Sequence, residues 1–149
     1  MMKFRIMTEN DIKAVSTLYI EYYKNHENGE WTEVTTAKRI RQILTREDSY
    51  CLLLEEDNII FAFAMGYFEQ YDDGFAYDLI EVVVASEKQN TGIGTLFMKE
   101  LEARVKSKGA MLIQLQAVND ARHERFYDRL QYRTATNLIL KSNWLLENV

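Results

Sequence analysis

Gln89-Asn90-Thr91-Gly92-Ile93-Gly94 stands between the apolar run Val82-Val83-Val84-Ala85 and a stretch from Ile93 onward whose apolar residues recur at helical spacing. A strand, a loop with two glycines, then a helix: this reading decides the chain. Gly92 and Gly94 remove side chains where backbone must approach a ligand. The helix N-terminus behind them offers unpaired N–H groups at the positive end of its dipole. Such a turn suits a pyrophosphate. Two familiar phosphate motifs are excluded, because GxGxxG needs a third glycine where Phe97 stands and a Walker A loop needs Gly-Lys-Ser/Thr.

Working outward, the helix turns Ile93, Leu96, Phe97, Leu101 and Val105 inward. Glu100/Arg104 and Glu102/Lys106 are i,i+4 pairs on its wet side, and Gly109 suits the C′ position. Upstream, Phe75 to Ala85 reads as a long strand, preceded by a turn at Tyr71-Asp72-Asp73-Gly74. Ile59–Phe68 and Tyr50–Leu54 are further strands, joined by a hairpin turn at Glu55-Glu56-Asp57-Asn58. At the start, Lys3–Met7 is a short strand, and Thr8 with Asp11 forms an approximate capping box for a helix through about Tyr23. Ile12, Val15, Tyr19 and Tyr22 share one face of it. A polar stretch, Lys24 to Glu30, leads through Trp31 to a second helical pattern with Ala37, Ile40, Ile43 and Leu44. Downstream come a strand at Met111–Ala117, a helix at Asp120–Leu130 and a final strand at Asn137–Lys141. Helices, an antiparallel meander, then alternating strands and helices give a mixed α/β sheet.

The chain has 149 residues, the size of one domain, and neither proline, repeat nor low-complexity linker marks an internal boundary, so a single domain over 1–149 is expected. Hydrophobic residues at 47% and charged residues at 28% belong to a folded globular protein. A net charge of −5 and a pI near 5.1 argue against nucleic acid or an anionic membrane as partner. Two histidines, His26 and His123, and the lone Cys51 make no zinc constellation, so no metal is expected. Cys51 reads as a small buried hydrophobe and His123 as exposed on its helix. No internal disulfide can form, and the N-terminus lacks the apolar run of a signal peptide, which points to the cytoplasm.

The run from Val82 to Tyr132 resembles the GNAT superfamily of acetyl-CoA-dependent N-acetyltransferases. The family's Q/R-x-x-G-x-G/A motif is met by Gln89, Gly92 and Gly94, and its Phe-Tyr-x-x-Leu-Gly-Phe/Tyr helix end by Phe126, Tyr127, Leu130 and Tyr132. Helices and meander upstream extend the likeness over the whole chain. The resemblance implies the GNAT fold: a central, mostly antiparallel sheet with a splayed parallel strand pair and helices on both faces. It also implies acetyl-CoA as co-substrate. Backbone amides of Gln89, Asn90, Thr91, Gly92, Ile93 and Gly94, with Thr95 behind them, would hold the pyrophosphate of coenzyme A. Val84, with Val83 beside it, would pair its backbone with the pantetheine arm, and Asn119 sits where the family often touches that arm. Tyr127 matches the tyrosine that protonates the departing thiolate.

The chemistry supports such a cast. An alkyl amine of pKa ~10.4 is less than about 0.1% free base at neutral pH, so reaching the nucleophilic form costs roughly 4–5 kcal/mol unless a base takes the proton. Two carboxylates compete. Asp78 lies six residues before Val84, where histone and some aminoglycoside acetyltransferases carry a glutamate. Glu81 lies three before it, where diamine acetyltransferases carry an aspartate. Strand alternation puts the two on opposite faces unless a bulge intervenes, and an ordered water is the third option.

Three departures from the family pattern stand out: Ser86 for proline, Gln131 for glycine after Leu130, and Asn119 one residue further from Tyr127 than usual. A left-handed backbone at Gln131 would carry a steric cost. Arg122, Arg125 and Arg129 share one side of the last helix, a solvated basic face or a contact to the 3′-phosphate of coenzyme A. Tyr19, Tyr22, Tyr23 and Trp31, with Glu21, Glu27, Glu30 and Glu33, are either ordinary core and wet loop or the wall of an amine pocket. The expected function is acetyl transfer to a small-molecule primary amine in a ternary complex, with no covalent enzyme intermediate. Protein or peptide amines, or an acyl-CoA-binding regulatory domain without turnover, are the alternatives, and a homodimer is one assembly the resemblance allows.

Overall fold

The computed structural model describes residues 1–146. The elements are β1 (Lys3–Ile6), α1 (Ile12–Glu27), α2 (Glu33–Leu44), β2 (Ser49–Glu56), β3 (Ile59–Gln70), β4 (Phe75–Val84), α3 (Ile93–Ser107), β5 (Ile113–Leu115) and α4 (Ala121–Arg129). Short 3₁₀ turns at Glu9–Asp11 and Ser86–Lys88 precede α1 and follow β4. The chain divides into two compact units, Met1–Gln116 and the residues from Ala117 on. Among the described residues, no helix is long and apolar enough to cross a membrane.

The first unit is a five-stranded sheet in the order β1-β2-β3-β4-β5, antiparallel except for the parallel pair β4–β5. Its strands are apolar on both sides because both sides are covered. On one face Phe63 stacks against Tyr19 of α1, and on the other Phe4 stacks against Phe97 of α3. Phe63 pairs with Leu53 and Phe4 with the next residue, Leu54, so the period-two rule puts the two aromatic contacts on opposite faces.

Two features of β4 position the site. The register slips between Met65 and Gly66: Glu81 faces Met65, Leu79 faces Gly66, and Ile80 has no partner. Met65 and Tyr67 share a face of β3, so their partners Glu81 and Asp78 share that face of β4. The bulge thus cancels the opposite placement expected from plain alternation. Gly66 permits it, since a Cβ there would lie 2.2 Å from the Asp78 carbonyl oxygen and 2.7 Å from Tyr77 Cζ. The second feature is where β5 stops. Only Tyr77, Asp78 and Leu79 pair with Ile113, Gln114 and Leu115, and from Ile80 to Val84 no strand lies on that edge among the described residues. The parallel pair parts there.

Several boundaries differ from the sequence reading. α1 continues one turn past Tyr23 because Lys24 to Glu27 form an exposed last turn, closed by Asn28 in the left-handed region at φ 51°. The hairpin turn is only Asp57-Asn58, both left-handed at φ 53° and 65°, so Glu55 and Glu56 belong to β2. On α3 the buried stripe is Phe97, Met98, Leu101 and Val105, which leaves Leu96 44% exposed and off the stripe. β5 is three residues rather than seven, limited by the length over which β4 pairs with it. The strand expected at Asn137–Lys141 is not formed. That segment lies in no sheet, and a strand exists only where its backbone groups find partners.

In the second unit, Asp120 caps α4 by accepting from the His123 N–H at 2.8 Å, and the same carboxylate lies 2.8 Å from His123 Nδ1, which leaves that ring half-buried rather than exposed. At the other end, Tyr132 N–H bonds the Tyr127 carbonyl at 3.0 Å and Gln131 N–H bonds Asp128 at 2.9 Å. This is a Schellman closure with Gln131 at C′, at φ 68°.

Candidate active site

Glu81 is the centre of a polar cluster between β4 and the first two helices. It leaves β4 just after the bulge and is only 8% exposed, so its charge needs donors. α1 and α2 supply them. The Tyr19 hydroxyl donates to Oε2, the Tyr23 hydroxyl donates to Oε1 at 2.7 Å, and Arg39 Nε lies 3.4 Å from Oε2. Tyr19 and Tyr23 are four apart on α1, hence on one face. Burial, and after it the Glu81 carboxylate, pushes both phenols far above the ordinary tyrosine range, so they stay protonated donors. Trp31 closes the group, its ring 5.1 Å from Tyr19 and 6.5 Å from Tyr23. The aromatic residues at the start of the chain therefore meet a carboxylate from its middle.

Asp78 shares the face of Glu81, but its charged neighbours are Glu69 and Arg46. Burial raises its pKa first, the Glu69 charge adds to this, and Arg46 opposes it. The Arg46 guanidinium itself sits 3.7 Å from the ring centroid of Tyr67, the cross-strand partner of Asp78.

Beyond Val84 the chain turns into the glycine loop. Gln89 folds back, its Nε2 donating to the Val84 carbonyl at 3.1 Å and lying 3.1 Å from His26 Nε2. The Thr91 hydroxyl donates to the Lys88 carbonyl. Asn90 and Gly92 are left-handed, at φ 60° and 86°. Gly92 is the N-cap of α3 and supplies no side-chain cap, so the positive end of a 15-residue helix is left without one. A Cβ built on Gly92 would meet nothing within 4 Å. Open space before an uncapped helix start, continuous in sequence with the unpaired edge Ile80–Val84, fits a pyrophosphate joined to an amide-bearing arm.

The structure brings Glu81 together with Tyr19, Tyr23 and Arg39, and Val84 with Gln89. Val83 points into the buried Phe63 face, while Val84 is half-buried. Asn119 and Tyr127 belong to the second unit. Asn119 is exposed and Tyr127 half-buried, its ring 5.1 Å from Phe126 and 5.6 Å from Tyr132. Arg122, Arg125 and Arg129 are exposed on α4. Sequence reasoning missed Arg39 and His26. Arg39 stands three residues after the buried Thr36, an inward position on α2 that its charge disguises. His26 carried no signal of its own.

The model of the acetyltransferase (GNAT) family matches residues 12–132, a span that crosses both compact units. The chain belongs to the GNAT acetyltransferase family. Solved structures give the same fold for this GNAT chain. A possible acetyltransferase from Clostridium difficile 630 superposes with a TM-score of 0.84 at 15% identity, covering 97% of this chain and 99% of that one. A predicted acetyltransferase from Clostridium acetobutylicum, solved with acetyl-CoA, gives 0.77 at 16% identity, covering 95% and 96%. An aminoglycoside N-acetyltransferase in complex with CoA gives 0.75 at 11% identity, covering 96% and 95%. No curated protein sequence matches the chain.

Proposed function

We propose that this GNAT chain is a single-domain, cytoplasmic N-acetyltransferase that moves acetyl from acetyl-CoA to the primary amine of a small molecule by direct attack in a ternary complex. The observation that carries the reading is the parting of β4 from β5 after Leu79, leading along a free strand edge to the uncapped start of α3. Fold neighbours in complex with CoA and with acetyl-CoA support the co-substrate, and one named as an aminoglycoside N-acetyltransferase supports an amine acceptor.

When bound, acetyl-CoA supplies an acetyl group activated as a thioester. Backbone N–H groups from Gln89 to Thr95 would hold its pyrophosphate at the positive end of α3. The free edge at Val83 and Val84 would hold the pantetheine amides as a neighbouring strand would, and Asn119 is the further contact to that arm that the family resemblance implies. Glu81 holds the acceptor's ammonium beside the Tyr19–Tyr23–Trp31 wall and takes its proton at Oε1, directly or through a water. The Tyr23 hydroxyl stays protonated and donates to the same oxygen. Asp78 tunes the field on the same face. As the amine forms its C–N bond and the C–S bond breaks, the Tyr127 hydroxyl would give its proton to the released thiolate, as the family resemblance implies.

The test has two arms. Calorimetric titration should show acetyl-CoA and CoA binding while ATP and NAD do not. An amine panel assayed by thiol release should then find an acceptor, and Tyr127→Phe should lower kcat at least tenfold with acetyl-CoA affinity unchanged. Binding without thiol release from any amine would leave an acyl-CoA-binding regulatory domain, and no binding would remove the reading.

A further inference from the structure

Arg5 and Arg39 show two uses of a guanidinium in one chain. Arg5 commits its whole fork to its own protein: Nη1 and Nη2 bond Asp11 at 2.9 and 2.7 Å, and Nε and Nη2 bond Glu55 at 2.8 and 3.1 Å. Arg39 meets a carboxylate with Nε alone, 3.4 Å from Glu81 Oε2, well outside the roughly 2.7–2.9 Å of a charge-assisted bond. Among the described residues no second carboxylate pairs with it, and its side chain is 38% exposed. A guanidinium that served only to neutralise Glu81 would gain most by closing onto it as Arg5 closes onto its partners. Arg39 instead keeps its planar Nη edge, the surface on which a carboxylate docks in two-pronged fashion, toward other company.

One negative and one positive group thus stand side by side against the rings of Tyr19, Tyr23 and Trp31. Together they are neutral, which sorts the amines that can bind. A second ammonium on the acceptor would be repelled by Arg39, whereas an anionic group beside the first ammonium would be drawn to it. Glu27, whose charge also reaches Tyr23, is exposed at the end of α1, where water and salt screen it.

We infer that the acceptor is an amino acid, its ammonium on Glu81, its carboxylate on the Nη edge of Arg39 and its side chain along the Tyr19–Tyr23–Trp31 wall. The inference rests on the acetyl-transfer reading for the fate of the ammonium, while the charge pairing is a matter of binding alone. Transfer yields the N-acetyl amino acid and CoA: nitrogen forms the C–N bond, the C–S bond breaks, and the proton that nitrogen loses balances the one the thiolate gains. The product keeps its carboxylate but has no ammonium left for Glu81, which favours its release.

Calorimetric titration of the standard amino acids into the full chain, with and without saturating CoA, tests the inference. Each is compared with its carboxamide, which keeps the amine, and with the decarboxylated amine. At least one amino acid should bind about tenfold or more tightly than both comparators, the gain of a two-pronged contact between charges, and Arg39→Gln should erase that preference. Comparators that bind as tightly, a preference kept in Arg39→Gln, or no binding by any amino acid would each overturn the inference. Should Arg39→Gln fail to fold by far-UV circular dichroism, Arg39→Lys, which keeps the charge but loses the fork, should reduce the preference, and the ligand series on the unaltered chain still decides. Thiol release on the same panel separates the two readings. Acetylation of the comparators with no preference for amino acids would overturn this inference alone, whereas acid-selective binding without thiol release would remove acetyl transfer and keep the amino-acid site.

Discussion

The Tyr23 hydroxyl donates to Glu81 Oε1 at 2.7 Å, joining residues 58 apart in sequence. With Tyr19 on the other oxygen, two consecutive turns of α1 are pinned to the strand just after its bulge. Glu81 in turn accepts from two hydroxyls, so the seating of α1 on the sheet depends on one carboxylate.

Glu81→Gln should lower kcat by about 10²–10³ while leaving acetyl-CoA affinity intact, the loss expected of a general base. It should also cost about 1–3 kcal/mol, because an amide nitrogen then faces hydroxyl and guanidinium donors. Asp78→Asn should leave kcat within a few-fold and raise Tm near neutral pH. The folded pKa of Asp78 lies above its unfolded value, so its contribution to stability is present in acid and lost as pH rises through the folded value. The advantage of the asparagine should therefore vanish below about pH 4. Exchanged outcomes, with Asp78→Asn inactive and Glu81→Gln active, would move the base to Asp78.

At Gly92, alanine meets no steric neighbour but must hold φ 86°. Gly92→Ala should cost about 1–2 kcal/mol of stability and weaken acetyl-CoA binding, by calorimetry, well beyond its effect on Tm. Equal binding would show that the loop makes no close backbone approach.

Gln131 should respond in the opposite sense. It holds φ 68° at the end of α4, where glycine is the unstrained residue. Gln131→Gly should stabilise by roughly 0.5–1 kcal/mol, a rise of about 1–4 °C in a two-state melt for a chain of this size. An unchanged or lower Tm would mean that the turn carries no strain.

The acid limb of stability should trace to Arg5. Its guanidinium bonds Asp11 at 2.7 and 2.9 Å and Glu55 at 2.8 and 3.1 Å, and these bonds hold both carboxyls below their ordinary range. Carboxylates lowered in this way add stability above the unfolded pKa and lose it as pH falls through the folded one. Arg5→Met should cost about 1–3 kcal/mol at pH 7 and flatten stability between about pH 5 and 2. A slope as steep as the parent's would assign acid unfolding to other groups.

The strand–loop–helix around Gly92 was legible in the sequence because its signals are local: an apolar run, a glycine at a left-handed turn, and a helical period. The left-handed strain at Gln131 was legible for the same reason. Arg39 was not, since its value comes from a carboxylate 42 residues away. The face shared by Asp78 and Glu81 depended on a bulge that only pairing with β3 reveals. The apolar letters of Asn137–Lys141 record a wish to pair, but no letter says with which edge.

Gly66 has a wider consequence. A missing methyl on β3 admits one surplus residue, Ile80, on β4, and that surplus sets the parity of everything after it. A side chain at position 66 would push the two strands back into step. Asp78 and Glu81 would then emerge on opposite sides of the sheet, one toward α1 and the other toward α3. The absence of a single carbon thus decides whether two carboxylates share one side of the sheet or are divided between both.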